Sequence, residues 1–360
     1  MKFAAPATLL AATAMLLTTT AMALAQGADA TPENNGPLAP YHIQHGWLQL
    51  PMGRKWGAAS AVDIDRDGKS VWVFERCGNT DDGCDLHKDV NPILKFDANG
   101  VLVKSFGAGM FHDPHGIYVD KDDNIWVVDS INYSGGIGDT IRKFSPDGKL
   151  LLTMGTDGVA GYGPYVYNGL SDVVLAPNGD IFVADGHGSP TNNNRIIKYD
   201  SKGKYIKEFA PRGSAPEDTN PPHGLAMDKE GRLYVADRNN HAVKIFDQDG
   251  KLLNVWKQFG SPSGLFIDKN DILYVSDFNS TVKSNPGSGI TTPGIRWGSV
   301  SDGKVTGYIP YAEFASLEAV AVDDDGIIYG GLTNIPGSVR WLKNPPAAPR
   351  PAAPAAAPAP

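Results

Sequence analysis

One short phrase recurs through the chain and leaves few folds open to it. PHGIYVDKDDNIWVVDS (114–130) returns as PHGLAMDKEGRLYVADR (222–238). Further copies share its phase: SAVDID (60–65), DVVLAP (172–177), SGLFID (263–268) and EAVAVD (318–323). Most run through a short Asp-, Gly- or Asn-rich turn into a second apolar run, namely VWVFER, IWVVDS, IFVADG, LYVADR, ILYVSD and IIYGGL. A unit that repeats every roughly 40–57 residues cannot bury its apolar face alone, and this period is that of a propeller.

Each unit supplies strands by alternation and turn chemistry. GIYVD alternates into IWVVD as a hairpin, and TIRKFSPDG with KLLLTMG reads as two more strands joined at Asp-Gly. RIIKYDSKG, AVKIFDQDG and ILKFDANG repeat the third-strand form. Four short antiparallel strands make one blade, so the fold class is all-β, a six-bladed β-propeller. No segment sustains a 3.6-residue period, and helix is expected to be scarce. The last unit lacks an outer strand, whereas GWLQLP (46–51) precedes the first unit without a blade of its own. This N-terminal strand is expected to close the ring, which leaves no open sheet edge. The propeller is then 46–344, with 26–45 a linker.

The two ends read differently. Lys2, an apolar run through Leu17 and the small-x-small site Ala23-Leu24-Ala25 make 1–25 a signal peptide. The mature chain is then periplasmic or secreted, with no membrane span. PPAAPRPAAPAAAPAP (345–360) has no side chains for a core and reads as a disordered tail. A net charge of −8 with no basic aromatic stripe excludes nucleic acid as a partner. The only cysteines, Cys77 and Cys84, are close enough to close a small disulfide loop in an oxidising compartment.

In a propeller the first strand of each blade lines the central channel, so residues just before it converge at one mouth. That set is Ser60, His115, Asp172, His223, Ser263 and Glu318. A purely structural position would favour one residue type all round, yet this one carries imidazoles and carboxylates. His115, His223 and Glu318 fall in alternate blades and form a zinc-type set, with Asp172 a further ligand or a partner of one.

At these residues the chain resembles the NHL-repeat propellers, and in particular the peptidyl-α-hydroxyglycine α-amidating lyases, over roughly residues 46–343. The marks are PHGIYVD, LSDVVLAPNGDIFVADG, PHGLAMD and VADRNN, in that order. The resemblance implies Zn2+ held by three histidines. Two match His115 and His223, and the third falls at Glu318. The family's structural Ca2+ takes an Asp where this chain has Ala319, so that site loses its carboxylate. Arg76 and Arg238 match the family's two site arginines, placed to hold a carboxylate or carbonyl. The family's catalytic tyrosine falls at His187, and an imidazole there suits proton abstraction. Tyr133, Tyr162, Tyr165 and Tyr167 lie on nearby loops as rim aromatics or a relocated base.

The resulting expectation is a zinc-dependent lyase, read as a monomer, that cleaves an α-hydroxy or carbinolamide-type small molecule or peptide. His187, Arg76 and Arg238 would be its catalytic residues. Two other readings stand beside it: a non-catalytic NHL propeller that binds a periplasmic protein or glycan, and a lactonase-like propeller enzyme with a hard-ion site.

Overall fold

The computed structural model describes residues 37–343 except 79–82, 131–135, 188, 282–283, 286–288, 312–315 and 336. The expected leader at 1–25, the Pro/Ala tail at 345–360 and Tyr133 lie outside the described residues. The chain enters through β1 (Tyr41–His45). Blade 1 follows as β2 (Ala59–Ile64), β3 (Val71–Glu75), β4 (Ile93–Phe96) and β5 (Leu102–Phe106). Blade 2 is β6 (Pro114–Val119), β7 (Ile125–Asp129), β8 (Thr140–Phe144) and β9 (Leu150–Met154). Blade 3 is β10 (Leu170–Leu175), β11 (Ile181–Asp185), β12 (Arg195–Tyr199) and β13 (Tyr205–Phe209). Blade 4 is β14 (Pro222–Met227), β15 (Leu233–Asp237), β16 (Ala242–Phe246) and β17 (Leu252–Trp256). Blade 5 is β18 (Pro262–Ile267), β19 (Ile272–Asp277), β20 (Gly294–Ser299) and β21 (Val305–Pro310). Blade 6 is β22 (Leu317–Val322), β23 (Ile328–Leu332) and β24 (Gly337–Lys343), completed by β1 in the order β1-β24-β23-β22. All described residues lie in strands, turns or loops, and none is helical.

The innermost strands touch in a closed circuit: β2 meets β6, β6 meets β10, and so on round to β22, which meets β2. Six apolar clusters fill the six seams between neighbouring blades, and the last of them lies between blades 6 and 1. Second strands are buried throughout because each lies inside a sheet that is covered on both faces. Outer strands such as β9 and β17 are mostly exposed or half-buried, with a buried residue only at their ends. Cys77 and Cys84 form a disulfide with their Cα atoms 5.1 Å apart. Among the described residues no helix is long and apolar enough to cross a membrane.

The N-terminal segment closes the ring, but the pairing strand lies a few residues earlier than its apolar richness suggests. β1 pairs from Tyr41↔Lys343 to His45↔Val339, inside the stretch read as a linker. Gly46, with φ +64°, then turns the chain out of the sheet. GWLQLP (46–51) crosses instead to blade 1, where Gln49 N donates to the Gly100 carbonyl and Leu48 is buried in the seam between blades 6 and 1. Its apolar residues serve packing between blades, a use that a strand pattern does not distinguish from pairing.

Trp341 on β24 is buried in the seam between blades 5 and 6, edge-on to Tyr311 at 5.4 Å. Trp341→Ala is expected to cost about 3–5 kcal/mol. Deletion of 37–45 should destabilise as well, and it should also cause concentration-dependent association through the bared edge of β24. Urea titration and light scattering read the two effects.

Candidate metal centre at one mouth of the channel

Every first strand breaks register at one residue. The breaks fall between Ala59 and Ala61, Pro114 and Gly116, Leu170 and Asp172, Pro222 and Leu225, Pro262 and Leu265, and Leu317 and Ala319. A bulge re-aims the side chain it carries. Six equivalent residues therefore ring the axis: Ser60, His115, Ser171, His223, Ser263 and Glu318. Serines occupy blades 1, 3 and 5, and the three metal-ligating types occupy blades 2, 4 and 6.

Asp172 does not belong to this ring, because the alignment that placed it there is out by one residue. Ala176 N takes the Asp180 carbonyl as Asp120 N takes the Asn124 carbonyl, so Asp172 matches Gly116 and Ser171 matches His115. One residue of slip carries a side chain to the other face of a strand. Asp172 points along the channel, where Oδ1 accepts from Val173 N and Oδ2 from Leu225 N, both at 2.8 Å. It clamps blade 3 to blade 4, and burial pushes its carboxyl up to about 8. Asp63 is the matching clamp from blade 1 to Val119 N in blade 2.

The ring imidazoles have defined tautomers. His115 Nδ1 lies 2.7 Å from the Ser171 carbonyl, and His223 Nδ1 lies 3.2 Å from the Ser263 carbonyl. A carbonyl only accepts, so Nδ1 carries the proton in both rings and Nε2 offers a lone pair to the axis. Burial, reinforced by nearby positive groups, pushes His115 down to about 3 and His223 down to about 4. Both rings are neutral at physiological pH. Glu318 is buried yet held well below the usual carboxylate range, chiefly by the Arg238 guanidinium, so it is ionised.

Two acceptors thus face each other, with His223 Nε2 2.9 Å from Glu318 Oε1 and His115 Nε2 3.8 Å from the same oxygen. Such a meeting of lone pairs requires a cation. Arg238 supplies one through Nη2, which lies 2.6 Å from His223 Nε2, 2.8 Å from Glu318 Oε1 and 2.5 Å from Ser263 Oγ. Its guanidinium stacks on Phe278 at 4.4 Å. His115 Nε2 remains buried with no hydrogen-bond partner among the described residues. An orphaned imidazole lone pair, a second imidazole and an ionised carboxylate on one point fit a divalent metal ion.

His187 joins them from the rim just past β11. Its ring centroid is 4.5 Å from that of His115 and 5.4 Å from that of His223. One potential ligand atom from each of His115, His187, His223 and Glu318 falls within a group 4.8 Å across. Burial, with His115 nearby, pushes His187 down to about 3, which makes it a weak proton acceptor. Arg76 reaches the same mouth, with Nε 2.7 Å from Asp113 Oδ1, and its charge is felt at His115.

The rim tyrosines are engaged elsewhere. Tyr162 bonds Glu208, Tyr165 accepts from Tyr205 N at 2.9 Å, and Tyr167 OH lies 2.9 Å from Tyr199 OH. All three brace the outer half of blade 3. Below the ring, a cavity of about 800 Å3 lined by the first strands of all six blades reaches Asp65, Asp268 and Asp323 at their far ends.

The loops that carry the ring are pinned by a feature that the repeat pattern contains but that has no chemistry on its face. The acid ending each second strand from blade 1 to blade 5 is wholly buried: Glu75, Asp129, Asp185, Asp237 and Asp277. Each accepts a backbone N–H from the loop ahead of its first strand, at Gly57, His112, Asn168, Asn220 and Ser261. Each also faces a cation, respectively Arg54, Arg142, Arg195, Lys244 and Arg296. The recurring VVD, VAD and VSD are therefore loop anchors. Glycine after the anchor residue has a similar logic, since a Cβ on Gly224 would meet the Ser263 carbonyl at 2.3 Å.

The NHL repeat family model matches residues 219–246. NHL repeat-containing protein 3 of Homo sapiens is 28% identical over 222 residues, which are 60% of this chain and 59% of that protein. Peptidyl-alpha-hydroxyglycine alpha-amidating lyase 1 of Drosophila melanogaster is 32% identical over 231 residues, 57% of this chain and 40% of that protein. The chain thus spans about six-tenths or less of the length of these curated relatives. Among solved structures, a gluconolactonase from Xanthomonas campestris superposes with a TM-score of 0.56 at 17% identity, over 86% of this chain and 98% of its own. A streptogramin B lyase gives 0.53 at 14% identity, over 84% and 98%. These two share the propeller fold.

Two measurements test the geometry. Asp237→Ala strips Lys244 of its buried partner and frees the loop ahead of His223; it should cost about 3–5 kcal/mol in urea unfolding and weaken metal binding. Acidification is the second. His115 and His223 stay neutral in the fold to about 3 and 4, whereas in the unfolded chain they take up protons below their ordinary value of 6.5. The unfolded state then holds more protons, so metal-free stability present above pH 6.5 is lost as pH falls toward 4, by up to about 1.4 kcal/mol per pH unit for each histidine. The His115→Gln/His223→Gln pair should flatten that slope.

Proposed function

We propose that this NHL-repeat propeller, similar in sequence to the α-amidating lyases, is a metal-dependent lyase acting on a carbinolamide or related α-hydroxy compound that carries a carboxylate. The observation behind this reading is the buried cluster at the mouth, above all the unpartnered Nε2 of His115 beside an ionised Glu318. His115, His223 and Glu318 would hold the ion, with zinc the leading candidate for a site of two imidazoles and a carboxylate. Bound there, a divalent ion supplies Lewis-acid stabilisation of an alkoxide and lowers the pKa of the substrate hydroxyl.

The chain's own groups do the rest. Arg238 occupies the lone pairs of His223 and Glu318, so its guanidinium withdraws when an ion takes them and becomes free to hold the substrate carboxylate. Phe278 beneath it limits how far it moves. Arg76, braced by Asp113, offers a second guanidinium at the same mouth. In the lyase reaction the hydroxyl loses its proton, its oxygen becomes a carbonyl, and the C–N bond breaks with its electron pair going to nitrogen, which takes a proton. No redox partner is needed. The disulfide suits an oxidising compartment, consistent with export to the periplasm or the medium. Asp65, Asp268 and Asp323 are not among the four groups that meet at the mouth, three of which are imidazoles, and this favours a borderline ion over the hard-ion site of a lactonase-like enzyme.

Elemental analysis of the purified protein and a screen of α-hydroxyglycine derivatives for glyoxylate release test this reading. The native chain should carry about one divalent ion and release glyoxylate with a free amide. His115→Ala/His223→Ala should lose both ion and activity. A double variant that kept stoichiometric metal would sink the site. A native chain that bound metal but turned over none of these compounds would sink the lyase assignment.

A further inference from the structure

The placement of His187 gives it a role beside the base role expected of it. The imidazole comes from outside the ring, two residues past the end of β11, and the backbone there is built to present it. Gly186 N donates to the Gly169 carbonyl at 2.6 Å. The His187 carbonyl accepts from Ser189 N at 2.7 Å and from Asn192 Nδ2. Gly169, with φ +102°, leaves room for this, since a Cβ there would meet His187 N at 2.7 Å. The corresponding positions after the second strands of blades 1, 4 and 5 are Cys77, Asn239 and Asn279, so the imidazole is particular to blade 3. An imidazole with a ring nitrogen held within the same 4.8 Å group as three other potential donors has the chemistry of a ligand.

We propose that His187 is a fourth metal ligand, so that the mouth binds a divalent ion through three imidazole nitrogens and one carboxylate oxygen. This rests on the metal-site reading above and extends it. Four protein donors would fill a four-coordinate shell, so any substrate oxygen would have to add to it. The site therefore favours a borderline ion that tolerates five or six ligands, such as zinc, cobalt or iron(II). The ligand also ties the rim insertion (186–194) to the ring, so metal occupancy and rim order are linked.

Cobalt(II) is the probe, because its visible absorption is strong with four ligands and weak with six. The chelated native chain, His187→Ala, His187→Gln and His187→Gly are titrated with cobalt(II) alone, and the metal-free melting temperature of each reports folding. In the native chain the strong spectrum is expected. Loss of a ligand should weaken affinity by more than the roughly 10–100-fold that loss of a mere supporting partner costs, with a weaker, shifted spectrum. Free imidazole should restore the spectrum of the glycine variant. Cobalt binding should also slow proteolysis of the 186–194 rim in the native chain and not in the alanine variant. If the native chain binds cobalt and all three variants match it in affinity and spectrum, His187 is no ligand while the ring site stands. If the native chain binds none, both readings fall together.

Discussion

The hydrogen bond from each ring imidazole to the carbonyl of the next blade's equivalent residue sets everything else at this mouth. His115 gives its Nδ1 proton to Ser171, and His223 gives its own to Ser263. One bond fixes tautomer, ring angle and the direction of the free lone pair. It exists only because neighbouring first strands approach closely, which Gly116, Gly224 and Gly264 allow. The approach in turn needs a closed circuit of blades, since an open array would let the strands splay. A five-residue strand near the N-terminus, by completing blade 6, is thus coupled to the aim of side chains across the channel.

Alternation of serine with ligand around the ring follows from the same crowding. Ser60 and Ser171 donate Oγ–H to the carbonyls of Pro114 and Pro222 in the following blades. Those carbonyls belong to the residues immediately before His115 and His223. The small hydroxyls thus hold the histidine-bearing strands in place and leave the axis clear. Six large polar side chains would not fit where three do. The ring therefore sets three potential ligands on a six-fold scaffold, with the intervening blades giving support.

Much of this was legible in the chain. The repeat gives the propeller, and the phase of PHG gives His115 and His223, because period and turn chemistry are local properties. Glu318 was legible for the same reason. Asp172 was not, because blade 3 has Ala176 where the other copies carry the turn acid that marks the phase, and an alignment on apolar residues cannot see the bulge that fixes which side chain faces in. β1 was misplaced by a related limit: Trp47 and Leu48 are apolar for the sake of a seam between blades, while Tyr41–His45 is plain in composition and pairs through its backbone. The anchoring acids were in view in every copy of VAD, but only burial shows that they are structural.

Charge sets the balance of the site. Three imidazoles pushed to neutrality and one carboxylate give the cluster a single negative charge, and the nearby guanidinium of Arg238 cancels it in the metal-free state. A divalent ion changes the sign. With the ion in place and Arg238 released, the mouth carries an excess of positive charge, to which Arg76 contributes. On the reading proposed above, a substrate carboxylate would be drawn more strongly to the loaded form, because in the empty form one guanidinium is already committed to Glu318. Glu318 adds a charged partner to the neutral ones, His223 and Ser263, that hold Arg238 in the metal-free state.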